Sequence, residues 1–307
     1  SEERPVPALL AIVADGIGGH RAGEIAAEMA IEGISRFVAS TTETQPVEML
    51  KQAFENVSQA IYARAVSDPS LQGMGTTCAC CWFLDQRLYL ASVGDSRIYL
   101  VRGKKIHQLT TDHTWIQEAI ELGAITPDQA IGHPNLHVIR RFLGSRDLPQ
   151  TDTRLRLEAN ETALEAQANQ GLKLEPGDQV LLCTDGLTDL VQAEEIRNLL
   201  ESYPRQEALG KLIELANQRG GHDNITLILL EKPIKGPPRN SNRKRLATTL
   251  MAVAVLAGLF FLGDWLLKRD NQPLVQPGTP QFTPFERAQP TLLPANKSLE
   301  PSPKALR

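Results

Sequence analysis

Four short segments carry a carboxylate beside glycine or asparagine at the edge of an apolar run. They are Val13-Ala14-Asp15-Gly16-Ile17-Gly18-Gly19-His20, Val93-Gly94-Asp95-Ser96-Arg97, Leu182-Cys183-Thr184-Asp185-Gly186 and Gly220-Gly221-His222-Asp223-Asn224. Aspartates at strand ends project from a rigid scaffold into a common cleft, where hard divalent cations use their oxygens. A glycine next to the ligand lets the backbone come close and offers its carbonyl as a further ligand. Any one such dipeptide reads as a turn. Four of them, each attached to an apolar strand, are hard to explain as turns only.

The elements that must position these residues follow from the apolar pattern. Residues 8–14 form a continuous apolar run, as a strand buried on both faces would. Runs at 76–84, 87–93 and 97–101 lie close together, with Asp85-Gln86 and Gly94-Asp95 as turns, which predicts an antiparallel meander. Two further short strands are expected at 180–184 and 225–230. Helical spacing links Ile25, Met29, Ile34 and Phe37, then Leu50, Ala53, Val57 and Ile61, then Leu209, Leu212, Ile213 and Ala216. Between 113 and 153 the pattern weakens, as in a surface insertion. The expected class is α+β.

Charge and composition bound the rest. With 42% hydrophobic and 22% charged residues the chain has the balance of a globular protein. Residues 1–234 hold 21 basic and 32 acidic side chains, whereas 235–307 hold 11 and 4. An acidic body is a poor partner for nucleic acid, whose binding rests on neutralising phosphates. Cys78, Cys80, Cys81 and Cys183 form no CxxC pair and read as buried thiols in a reducing compartment. The globular body is expected over 1–231, followed by a basic linker at 232–245. Residues 246–267 are apolar enough and long enough to span a hydrocarbon core of about 30 Å. The Pro-rich stretch 268–307 is expected to be disordered. Basic residues cluster before the apolar run, which places the body in the cytoplasm and makes the chain a single-pass protein of the cell membrane.

The segments VADGIGGHRAGE, GMGTT (73–77), VGDSRIYLVR, LLCTDGLTDLV (181–191) and GGHDNITLILL resemble, in order, the motifs of the PPM family, the metal-dependent serine/threonine protein phosphatases of type 2C, and its bacterial branch most closely. The resemblance covers about 8–231. It implies a central β-sandwich flanked by helices, with Asp15 bridging two ions, the Gly16 carbonyl binding one of them, and Asp185 and Asp223 completing the set. Asp112, in a TDHT sequence, matches a third-metal ligand, with Asp185 shared and Asp95 and Asp189 as lesser candidates. A structural salt bridge from Asp95 to Arg97 is an equal reading.

Oxygen-only ligands suit Mn2+ or Mg2+, and two such ions about 3.5–4 Å apart can activate a shared water for in-line displacement at a phosphomonoester. The implied partners are phosphorylated proteins and a bacterial serine/threonine kinase whose action the enzyme opposes. Two departures from the family stand out. Ile17 occupies the place of a eukaryotic general-acid histidine, as an apolar residue does in bacterial members. The family's first strand, with its phosphate-binding arginine and acidic motif, does not precede Asp15, so this sequence is expected to be a piece of a longer protein. A catalytically silent phosphoprotein-binding or sensory relative is the alternative, and the full ligand set argues against it.

Overall fold

The computed structural model describes residues 8–18, 20–40 and 45–234. The basic linker beyond 234, the apolar run 246–267 and the Pro-rich stretch 268–307 lie outside these residues. Among the described residues no helix is long and apolar enough to cross a membrane. In chain order the elements are β1 (Ala8–Val13), β2 (Gly16–Ile17), α1 (His20–Ser40), α2 (Pro46–Ser67), β3 (Gly75–Thr76), β4 (Cys78–Leu84), β5 (Arg87–Val93), β6 (Arg97–Arg102), β7 (Lys105–Gln108), α3 (Trp115–Glu121), α4 (Pro127–Ala130), α5 (Ala163–Ala168), β8 (Leu172–Lys173), β9 (Gln179–Cys183), α6 (Asp185–Thr188), α7 (Ala193–Ser202), α8 (Arg205–Gln218) and β10 (Leu227–Glu231).

Two four-stranded sheets form the centre, the first in the order β1-β4-β5-β8 and the second in the order β10-β9-β6-β7. All their pairings are antiparallel. The uniformly apolar strands are explained by burial on both faces, with the two-residue alternation sorting side chains between layers. On the first sheet Cys78, Cys80, Trp82, Ala91 and Val93 pack against α1 and α2, while Ala79, Cys81, Leu88 and Leu90 face the second sheet. On the second sheet Ile98, Leu100, Val180 and Leu182 face inward. Tyr99, Val101, Leu181 and Cys183 pack against α7 and α8 through Ile196, Leu200, Leu212 and Ala216. The result is a helix–sheet–sheet–helix stack, the expected sandwich. All four cysteines are free and buried within it.

The antiparallel meander expected over 76–101 needs correction. β4 and β5 do form a hairpin, closed by Asp85 and Gln86, whose φ values of 45° and 67° are those of a tight two-residue turn. After Val93, however, the chain leaves the first sheet, and β6 begins in the second. The crossing is made at Gly94, where φ is +103° and a Cβ would stand 2.5 Å from the Thr77 Cβ. No side chain fits that conformation against Thr77, so the sheet switch depends on glycine. The region after α3 is made of short pieces, as the weakened pattern predicts. There, α4 and a series of turns are tied to the body by short bridges such as Thr114–Ile139, in which the Arg140 N–H donates to the His113 carbonyl at 2.8 Å.

Two glycines separate the effect of this crossing from ordinary backbone strain. Gly103 has φ +58° with open space around it, so Ala there is expected to cost about 1 kcal/mol. Gly94→Ala meets both a forbidden φ and an overlap with Thr77, and is expected to cost at least about 2 kcal/mol. Urea denaturation of the two variants checks this. Equal midpoints would show that the crossing tolerates a side chain.

Candidate metal centre

Strand register brings the four carboxylate segments to one end of the sandwich. In the first sheet Val13 pairs with Ala79, so Asp15 emerges beside Thr77. Cys78 pairs with Val93, which puts Gly94 at the same end. In the second sheet Arg97 pairs with Cys183, so Asp95 precedes one strand just where Asp185 follows the other. Leu227 also pairs with Cys183 and brings the 223–226 segment alongside.

Each ligand segment is locked by close backbone contact. A Cβ on Gly16 would lie 2.3 Å from the backbone of Gly23, so the Asp15-Gly16 loop rests directly on the first turn of α1. A Cβ on Gly186 would lie 2.3 Å from the Asn224 carbonyl oxygen. The Thr184 hydroxyl donates to that same carbonyl at 3.2 Å and accepts from the Thr226 N–H at 3.1 Å. These contacts fix the Asp185 and Asp223 segments to each other.

The carboxylates crowd one another. Burial pushes Asp15 up to about 7, helped by the charge of Asp185, a carboxyl–carboxyl hydrogen bond with Asp185, and the charge of Asp223. Burial also pushes Asp95 up to about 7, with Asp185 and Asp112 adding to it. Asp189 is raised by burial and by Asp185, with partial relief from His137, whose Nδ1 lies 3.1 Å from its carboxylate. One oxygen of Asp185 is buried and has no hydrogen-bond partner. Such an orphaned acceptor costs about 1–3 kcal/mol unless something satisfies it. An all-oxygen set of this kind fits a divalent cation. Asp223 stands at the exposed rim, with its carboxylate accepting the Asn224 N–H at 2.7 Å. Among the described residues no three carboxylate, imidazole or thiol side chains already surround one point at ligand distance.

Asp112 is placed differently from the expectation. Arg97 donates through Nε to both of its oxygens at 3.0 Å and through a terminal nitrogen at 2.6 Å, and the Gln108 amide adds a bond at 3.0 Å. In this structure its charge is answered by a guanidinium. This also corrects the Asp95–Arg97 pair considered as a structural bridge: Arg97 pairs with Asp112, because the β6–β7 hairpin folds residues 110–112 back alongside Arg97. The remaining Arg97 nitrogen donates to the Tyr99 hydroxyl at 3.1 Å.

Sequence reasoning passed over His113, which is a buried junction. Its backbone N–H donates to the Gly94 carbonyl at 3.0 Å, and its Nδ1 accepts the Gly94 N–H at 3.0 Å. Nε2 faces Asp152 at 3.3 Å. Burial raises Asp152, but His113 and Arg154 outweigh it and hold the carboxyl well below the ordinary range. The neighbouring aspartate drew attention in the sequence, whereas a histidine holding a backbone turn has no spacing signature.

Residues 4–226 match the family model of protein phosphatase 2C. The chain is 33% identical over 238 residues to the serine/threonine phosphatase stp of Listeria monocytogenes, an alignment covering 76% of this chain and 88% of that protein. It resembles the crystal structure of the Mycobacterium tuberculosis serine/threonine phosphatase PstP/Ppp with a TM-score of 0.63 at 33% identity, covering 75% of this chain and 92% of that one. The catalytic domain of PstP in complex with two manganese ions matches with a TM-score of 0.60 at 33% identity over 75% and 91% of the two chains. A match over most of the chain makes this chain a member of the protein phosphatase 2C family.

Proposed function

We propose that this chain is a serine/threonine protein phosphatase that hydrolyses phosphoserine and phosphothreonine in proteins, using two divalent ions held by Asp15, the Gly16 carbonyl, Asp185 and Asp223. The single observation that carries the reading is the buried, unpartnered oxygen of Asp185 beside a crowded Asp15. When bound, Mn2+ or Mg2+ supplies hydroxide near neutral pH and neutralises charge on the phosphoryl oxygens. Manganese is favoured by the two ions in the related PstP structure.

The chain's own residues provide position and field. Asp15, at the end of the first sheet, would hold the ions together with Asp185 from the second. Asp185, at the start of α6, is held rigid by the Thr184–Asn224 bond, so its unpartnered oxygen keeps its aim. Asp223, at the exposed rim, would complete the set. Asp95 is a further buried carboxyl at this end, whose ionised form would be favoured by a nearby cation. A third, weaker ion at Asp112 requires the Arg97 pair to open or its carboxylate to be shared. The exposed rim beside Asp223 leaves the site open to a protein substrate. No side chain is needed as nucleophile.

The related enzymes are named as serine/threonine phosphatases, which supports a protein substrate phosphorylated by a serine/threonine kinase that this enzyme opposes. The apolar run 246–267, with basic residues ahead of it, supports a single membrane span that tethers the body on the cytoplasmic side.

Asp185→Asn and Asp223→Asn are each expected to lower Mn2+-dependent hydrolysis of p-nitrophenyl phosphate by about 100-fold or more, since each removes a charge from the metal set. Activity that survives either change sinks the two-metal assignment, and an inactive wild type carrying its native upstream sequence favours the silent alternative. The raised carboxyls also make a prediction for the metal-free protein. Asp15 and Asp95 are protonated when folded up to about pH 7 but ionise near 3.8 when unfolded, so the folded state binds more protons between those values. Stability of the metal-free protein should therefore fall as pH rises from about 4 to 7, and Mn2+ should raise the melting temperature more at the upper end. Thermal melts in chelator and in Mn2+ read this directly, and a metal-induced shift that is greater at the acid end contradicts it. Finally, protease added outside intact cells should clip only residues beyond the membrane run. Digestion of the phosphatase body refutes the orientation.

A further inference from the structure

The Asp15 backbone is held by two adjacent threonines. Its carbonyl accepts the Thr77 N–H at 2.8 Å and the Thr76 hydroxyl at 2.7 Å, and its N–H donates to the Thr77 hydroxyl oxygen at 3.1 Å. That same oxygen lies 2.8 Å from the Ser96 hydroxyl. Thr76, Thr77 and Ser96 are all essentially excluded from solvent. Thr77 stands just ahead of β4 in the first sheet, and Ser96 just ahead of β6 in the second. The Thr77–Ser96 pair is thus a polar tie between the sheets, placed directly behind Asp15 and next to Asp95. On its other side the Thr77 methyl packs against Gly94, the residue at which the chain changes sheets.

We infer that Thr77 is a positioning residue for metal binding: through its hydroxyl it sets the spacing between Asp15 on the first sheet and the Asp95 and Asp185 carboxylates on the second. This rests on the metal reading proposed above. Ligands contributed by two separate sheets can share ions only if the sheets keep a fixed separation at that end. The apolar interface between them is non-directional and leaves small sliding motions open. A buried hydroxyl pair with defined length and angle removes that freedom. The simpler alternative is a satisfied polar pair that stabilises the fold and nothing more. The two readings differ in what they expect of metal affinity.

The test uses the full chain and Mn2+ alone, titrated calorimetrically into metal-free wild type, Thr77→Val, Thr77→Ser and Ser96→Ala, with thermal melts run beside them. Thr77→Val keeps the shape and loses the hydroxyl, and is expected to weaken Mn2+ binding by about tenfold or more, the range seen when a ligand's supporting partner is removed. Thr77→Ser loses the methyl against Gly94 and keeps the hydroxyl. It should melt at a lower temperature yet bind Mn2+ within about twofold of wild type. Should Thr77→Val fail to fold, Ser96→Ala decides: it leaves the Asp15–Thr77 bond and cuts the cross-sheet half, and a loss of affinity of several-fold is expected. Folded Thr77→Val or Ser96→Ala binding Mn2+ like wild type overturns the proposal while leaving the metal reading intact. A wild type that does not bind Mn2+ overturns both.

Discussion

Crowding of carboxylates at one end of two packed sheets is the constraint on which the rest of this molecule turns. Asp15, Asp95 and Asp185 come from three different strand ends, and burial alone would already disfavour their charge. Mutual repulsion makes the arrangement worse. The fold nevertheless holds them there through close backbone contacts and threonine hydrogen bonds. Glycines 16, 94 and 186 stand where any side chain would strike backbone or Thr77. Threonines 76, 77 and 184 bond the neighbouring backbone across loops. On the metal reading proposed above, this rigidity would be repaid by cation binding.

The layered core makes this possible. Strands buried on both faces carry few polar side chains along their length, so most polar groups collect near strand ends. Antiparallel register then decides which ends meet. Pairing Val13 with Ala79 and Arg97 with Cys183 brings Asp15 from one sheet to the same end as Asp95 and Asp185 from the other. A shift of one residue in either pairing would turn the strand's side chains to the opposite face and scatter the ligands. Helices α1 and α8 cover the outer faces and keep those registers from slipping.

The sequence made much of this legible. Strand runs at 87–93 and 97–101, the three longer helices and the Asp-Gly segments all carry local signals, and the motif order pointed to the family. What stayed hidden was non-local. The separation of β5 and β6 into different sheets cannot be seen in two adjacent apolar runs, because a turn at Gly94-Asp95 closes a hairpin or starts a crossing equally well. The Arg97–Asp112 pair is fifteen residues apart and depends on how the β6–β7 hairpin returns. Thr77 and Ser96 lie in short motifs that were noted for their neighbours, yet their bond exists only once the two sheets are stacked. The four-residue helix at Asp185 and the helix over Ala193–Ser202 were also unread, the first for its brevity and the second because its polar residues outnumber its apolar ones.

Charge compensation finally separates the carboxylates of this region into two groups. Asp112, Asp152 and Asp178 are each largely buried, and each is answered by a guanidinium at 2.6 Å, from Arg97, Arg154 and Arg102 respectively. Burying those charges is tolerable because the fold supplies the counter-ion itself. Asp15, Asp95 and Asp185 have no such partner among the described residues. Arg97 lies near enough to be felt at Asp189, but two of its nitrogens are committed to Asp112 and the third to Tyr99. It therefore cannot neutralise the central carboxylates. On the metal reading proposed above, a half-buried acidic cluster left uncompensated beside an arginine that is already committed would take its positive charge from a bound cation.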